Sequence, residues 1–224
     1  MALSNLPVFP QKPKRYAVSI GNGDGQNWKF LNSGGQYACA DGTKVVSLIA
    51  ASTDTSARDV QVGIARSSVV TITIATPGVV SWAGHDFVAG DQVVFQTTGA
   101  LPTGLTAGTT YYVIAAGLTP GVSFQVSASA GGAAVNTSGS QSGVHTGWIV
   151  RIKGTIAVPI TAGSVSSQPS VDLLNSTSLP GLAVDNDGQR YIPLEGVNAI
   201  VLQALTTVTA NKIINIGSAA ADFS

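Results

Sequence analysis

His85 stands directly before Asp86, Asp91 follows after "FVAG", and His145 is the second and last histidine of the chain. A histidine, an acid and one of many serines are the raw material of a hydrolase triad, in which the ring takes the hydroxyl proton and the carboxylate orients the ring. The spacing argues against that use. There is no G-x-S-x-G elbow, and successive side chains on a strand point to opposite faces, so His85 and Asp86 would diverge. Asp86 and Asp91 are the only acids between Ser68 and Gly147. Sugar cleavage by the usual route needs two carboxylates about 5–9 Å apart. Two histidines are too few for a zinc site without thiolates, and the single cysteine, Cys39, lies in another part of the chain. We expect both histidines in polar loops and Cys39 as a small apolar residue packed beneath a sheet.

Two glycine-rich stretches invite ligand readings. "GNGDG", Gly21–Gly25, lacks both the G-x-G-x-x-G spacing and the following helix of a nucleotide loop, whereas Asn-Gly and Asp-Gly are strong turn signals. "DNDG", Asp185–Gly188, opens like a calcium loop, but the next acid, Glu195, does not keep the spacing of a closing ligand. Both read as turns. Trp82, Phe95, Tyr111, Tyr112 and Phe124 suit a carbohydrate platform and suit a small barrel core still better. No catalytic, cofactor-binding or metal residue is assigned: the chain is expected to be neither an enzyme nor a cofactor protein.

Composition limits the partners. Eleven Lys plus Arg balance eleven Asp plus Glu, with only 10% of residues charged. Such a chain has no net field for nucleic acid or an anionic membrane, and low charge favours packing against other protein. Gly, Thr, Ser or Pro interrupts every apolar run, so no membrane span is expected. The opening "MALSNLPVFPQKPK" has no apolar signal region, which predicts folding in a cytoplasm.

The elements that must carry all this are strands. Glu occurs once, at Glu195, and helical periodicity is absent, while "KVVSLIAAS", "DVQVGIARS", "VVTITIAT", "DQVVFQTT", "TYYVIAA" and "AIVLQALTTV" are β-branched, alternating and bounded by turn residues. Every Lys and Arg lies at or before Arg66 or at or after Arg151. The interval reads as a guest module inserted between two alternating strands, since loop tips tolerate insertion where the two ends lie close together. The expected fold is therefore all-β: an antiparallel β-sandwich, jelly-roll or immunoglobulin-like, over 16–67 and 148–224, with a second small β-barrel or sandwich at 68–147 inserted in a hairpin. Pro7, Pro10 and Pro13 recur every third residue, which favours an extended polyproline arm over 1–15. Its Pro7, Phe9, Pro10, Lys12, Pro13, Lys14 and Arg15 are the expected partner contacts, together with sheet edges and the tail "GSAAADFS".

The flanking stretches "SLIAASTDTSARDVQVGIARS", "VDLLNSTSLPGLAVDNDGQRYIPLEG" and "VLQALTTVTANKIINI" resemble small structural proteins of tailed-bacteriophage virions. The interval from "TITIATPGVVSWAGHDFVAGDQVVF" to "SGSQSGVHT" is similar to a β-rich module found in phage tail and virion proteins. The resemblance implies a virion component made in the host bacterial cytoplasm, without catalytic residues to carry over. We expect it to decorate or cement the capsid exterior, contacting the major capsid protein and sister subunits as a homo-trimer. The guest would project outward, with host-surface glycans as its possible ligand. A neck, tail or fibre-anchoring subunit and a carbohydrate-binding adhesion module are the alternatives.

Overall fold

The computed structural model describes residues 12–159, 170–174 and 179–223. Over these the chain is all-β, with a 3-10 turn at Asn22–Asp24 as the helical exception. The strands in chain order are β1 (Lys12–Gly21), β2 (Lys29–Phe30), β3 (Thr43–Ser52), β4 (Arg58–Ile72), β5 (Val80–Ser81), β6 (Gln92–Thr97), β7 (Thr110–Thr119), β8 (Ser123–Ser127), β9 (His145–Val158), β10 (Ser170–Asp172), β11 (Ala183–Val184), β12 (Arg190–Leu194), β13 (Asn198–Ala204) and β14 (Ile213–Asp222). Two compact units emerge: Met1–Gly25, Lys29–Val62 and Lys153–Ser224 form the first, Gln26–Trp28 and Gly63–Ile152 the second. They part at Val62/Gly63 and Ile152/Lys153, not at the 67/68 and 147/148 read from charge. The long strands β4 and β9, hydrogen-bonded neighbours, each run through the boundary, and an unbroken strand leaves no mark in composition.

The first unit is a β-sandwich of antiparallel sheets. One sheet has the order β1-β14-β3-β12-β11, with β10 also on β3; in the other, β13 lies between β2 and β4. Alternation does the folding: Ile214, Ile216, Ser218 and Ala220 of β14 are buried while their neighbours are exposed or half-buried. The tail expected to reach a partner is thus mostly a central strand, held by β1 on one side and β3 on the other. Its small residues fit a strand crowded on both edges. The expected arm likewise ends sooner: Lys12–Arg15 pair with Ala219–Asp222 as the first part of β1. Pro13 did not exclude a strand because proline is tolerated on a sheet edge.

In the second unit β4, β5, β8, β7, β6 and β9 follow one another, and β9 pairs with β4 again, so the sheet closes into a barrel. Closure removes free edges. The interior holds Val70, Ile72, Val80, Trp82, Phe87, Val93, Phe95, Tyr111, Val113, Phe124, Val126 and Ile149. Trp82 meets Phe87 edge to face at 4.9 Å, and Phe87 meets Phe124 at 4.9 Å. The aromatics are therefore core, Tyr112 being half-buried.

Gly147 on β9 makes room for that core, since a Cβ there would lie 2.6 Å from the Trp82 ring and 3.1 Å from Val70 Cγ1. Gly147→Ala overpacks the barrel and is expected to cost about 1–3 kcal/mol, seen as a lower denaturation midpoint at unchanged slope. The uncharged stretch between β6 and β7 folds back along 134–144: Thr98 N donates to Val144 O at 3.1 Å, and Thr103 and Ser138 exchange backbone bonds at 3.0 Å. Gly104 sits at φ +105°, where a Cβ would come within 2.2 Å of Asn136 O, so only glycine fits.

Candidate functional site

The barrel unit contains four formally charged side chains, Arg66, Asp86, Asp91 and Arg151, and all four meet. Arg66 Nη2 and Arg151 Nη2 each lie 3.3 Å from Asp86 Oδ1, and Arg151 Nη1 lies 2.6 Å from Asp91 Oδ1. Asp91 Oδ2 also accepts from Val88 N at 3.0 Å. The two arginines that bracket the interval in sequence thus converge on one oxygen. Both carboxylates are engaged by guanidinium, so the pair is an ion-pair cluster where strands β4 and β9 carry the chain into and out of the unit. With Asp86 68% exposed, its bonds are worth little individually. The rest of the barrel surface bears no formal charge.

The histidines correct the expectation of polar loops. His85 is 4% exposed, stacks on Phe87 at 4.6 Å and meets Phe124 edge to face at 5.5 Å, while its Nδ1 accepts from Phe87 N at 3.3 Å. His145 is 6% exposed; its ring nitrogens bond Thr97 Oγ1 at 2.9 Å and Gln141 Oε1 at 3.0 Å. Gln141 Nε2 in turn donates to Ile72 O at 2.7 Å. Aromatic neighbours draw His85 inward, and cross-strand register sets His145 against Thr97. The two rings therefore have separate partners, and among the described residues neither bonds a serine.

A groove of about 340 Å³ lies where Val69–Ile72 of β4 approach Gln141–His145. Gln141 and His145 in its wall bond each other, Ser142 Oγ accepts from Ala100 N at 3.2 Å, and the groove presents Val69, 67% exposed, and Val144, 50% exposed. That lining suits an apolar side chain better than sugar hydroxyls. Nothing in the sequence marks it, because the two stretches are far apart along the chain.

In the sandwich unit the glycine-rich stretches are turns. Asp185 Oδ1 accepts from Asp187 N at 3.0 Å and Gln189 N at 2.8 Å, its Oδ2 pairs with Lys44 Nζ at 2.6 Å, and Gly188 takes φ +79° between β11 and β12. The Lys44 ammonium, with the turn N–H groups, holds this carboxyl below its ordinary range. Gly21–Gly25 carries the 3-10 turn, with Gly21 N donating to Asp24 Oδ2 at 2.8 Å. Cys39 is half-buried, its Sγ donating to Gly42 O at 2.9 Å. Among the described residues no three His, Cys, Asp or Glu side chains group as metal ligands would, and no helix is long and apolar enough to cross a membrane.

Of the expected partner contacts, Pro7, Phe9 and Pro10 lie outside the described residues, while Lys12, Pro13, Lys14 and Arg15 belong to β1. Lys14 turns inward: its Nζ lies 2.7 Å from Asp222 Oδ2 and donates to Tyr37 O at 3.0 Å. Thr43 Oγ1 donates to the other Asp222 oxygen at 2.5 Å. Burial alone would raise Asp222; the Lys14 and Thr43 bonds outweigh it and hold the group below its ordinary value. Burial raises the nearby Tyr37 hydroxyl, which bonds Ser218 Oγ at 3.0 Å. Lys12, Pro13, Arg15, Ala17 and Ser19 are exposed, and β1 ends its sheet among the described residues. The exposed part of the expected set is thus a strand edge, extended by Ala17 and Ser19, which sequence reasoning missed. The signal was present: a proline followed by alternating Tyr16, Val18 and Ile20 is an edge-strand pattern.

No protein-family model matches the chain, and no curated protein does.

Proposed function

We propose that the chain is a structural protein of a tailed-bacteriophage virion that decorates or cements the capsid exterior, binding the major capsid protein and sister subunits by strand pairing and packing. One observation carries this reading: among the described residues the ten-residue strand β1 ends its sheet, with Lys12, Pro13, Arg15, Ala17 and Ser19 exposed along it. An open edge of that length is a template for adding a strand, with main-chain bonds supplying affinity. Asp222 holds Lys14, and Asp86 and Asp91 hold arginines. The resemblance of the flanking stretches to virion proteins points the same way.

The barrel unit, whose charges neutralise one another, is the part we place facing outward. An uncharged Thr, Ser and Gly surface gives weak contacts that a repeated array multiplies through effective concentration. The apolar lining of its groove does not favour a glycan reading.

Copy number per purified particle tests the proposal. A capsid cement is expected on the order of hundreds of copies, following the repeated symmetry of the shell, and to rebind particles stripped of it. A count of a dozen or fewer would move the protein to the neck or tail, and absence from particles would end the virion reading.

A further inference from the structure

We propose that two copies of this chain join through β1 across a two-fold axis, antiparallel, with Ala17 of one copy opposite Ala17 of the other. The direction of the backbone groups leads there. Thr53 N donates to Ile213 O at 2.9 Å, so the odd-numbered residues of β14 face β3. Ile214, Ile216, Ser218 and Ala220 then face β1, where the register sets them against Ile20, Val18, Tyr16 and Lys14. Ser218 Oγ donating to Tyr16 O at 3.2 Å agrees. The N–H and C=O groups of Arg15, Ala17 and Ser19 therefore point away from the sheet. At the two ends nothing is left to give: Pro13 has no N–H, and Gly21 N already donates to Asp24 Oδ2.

Centred on Ala17, an antiparallel copy satisfies each of these groups. Ala17 exchanges both bonds with its counterpart, Arg15 exchanges both with Ser19 of the second copy, and Pro13 meets Gly21, so the two positions without a donor face each other. Tyr16 falls against Val18 on the inner face, an aromatic and β-branched pair of the kind that stabilises adjacent strands. Charge selects the orientation. Parallel pairing in register would set Lys12, Lys14 and Arg15 against themselves, and a centre at Tyr16 would bring the two Arg15 side chains onto one diagonal. With Ala17 at the centre each basic half lies along the other copy's uncharged half. The contact is isologous, a different symmetry from the trimer expected from sequence. It goes beyond the virion reading and does not depend on it: particle counting and the tests below fail separately.

Cross-linking reads the register. Paired Cα atoms in such a ladder lie about 5.5 Å apart, inside the roughly 4.4–6.8 Å span of a disulfide. In full-length protein carrying Cys39→Ser, Ala17→Cys is expected to give a disulfide dimer on mild oxidation. Arg15→Cys should stay monomeric on a non-reducing gel until mixed with Ser19→Cys. Ala17→Pro removes an outward N–H and leaves the β14 ladder whole, so it should convert the dimer to a folded monomer in sedimentation, with a melting temperature that no longer rises with protein concentration; Val18→Pro, which removes an inward N–H, should lower the melting temperature below that of the Ala17→Pro monomer. A parent chain that is folded and monomeric at micromolar concentration overturns the proposal. So does a trimer whose Ala17→Cys form does not cross-link, or cross-linking that is as strong at Arg15 alone. An edge covered by another part of the chain would give the first of these results.

Discussion

Replacing Asp54 by alanine is expected to cost about 3–5 kcal/mol, because it removes one partner of a buried ion pair and strands the other. Asp54 is fully buried in the loop between β3 and β4. Its Oδ2 accepts from Arg58 Nε at 2.7 Å and Thr209 N at 2.9 Å, and its Oδ1 from Thr209 Oγ1 at 2.7 Å and Ser56 N at 3.1 Å. Arg58 continues the network to Thr206 Oγ1 at 3.0 Å and Thr209 Oγ1 at 2.9 Å, so one carboxylate ties two distant loops of the sandwich together. Burial by itself would raise this acid, and the bonds from Arg58, Thr209 and Ser56 more than reverse that, holding it far below the ordinary carboxylate range. A depressed folded-state value stabilises the fold above the unfolded value near pH 3.9, and that contribution is lost as pH falls below it. Melting curves of the parent should therefore drop steeply below about pH 4, while Asp54→Asn, already destabilised at pH 7, should show a flatter acid limb. Equal acid slopes in the two proteins would remove Asp54 from this role.

Trp82→Ala is expected to destabilise the barrel unit by about 3–5 kcal/mol, the range for deleting a large buried aromatic. Trp82 is almost wholly buried, packs on Phe87, and fills the space that Gly147 leaves open. Urea denaturation followed by near-ultraviolet circular dichroism reads the loss. A finer check uses the contact itself: Trp82→Phe combined with Gly147→Ala should cost less than the two single changes summed, since the smaller ring vacates the space the new methyl needs. Strict additivity would show that the methyl and the ring do not compete, and a loss under 1 kcal/mol for Trp82→Ala would mean the ring is not closed around it.

Several features follow from residue order alone. Alternating β-branched and polar residues made the chain all-β, since period-two burial is a local property of each strand. Asn-Gly and Asp-Gly made turns at Gly21–Gly25 and Asp185–Gly188 because the permitted dihedrals belong to those residues themselves. The absence of Lys and Arg between Arg66 and Arg151 marked a different kind of surface, though the compact unit takes in both arginines.

What depended on tertiary structure was every choice of neighbour. Composition cannot say that the small-residue tail becomes the strand between β1 and β3, that Lys12–Arg15 form an edge instead of an arm, or that His85 finds room among aromatics. Nor can it say that Asp54 meets Thr209 or that Arg66 and Arg151 share one oxygen of Asp86. Strand pairing joins residues far apart in sequence, and its energy lies in contacts that exist only after the chain has closed its loops. Local order decided what each segment would become; only the closed sheets decided which backbone groups would be left facing outward.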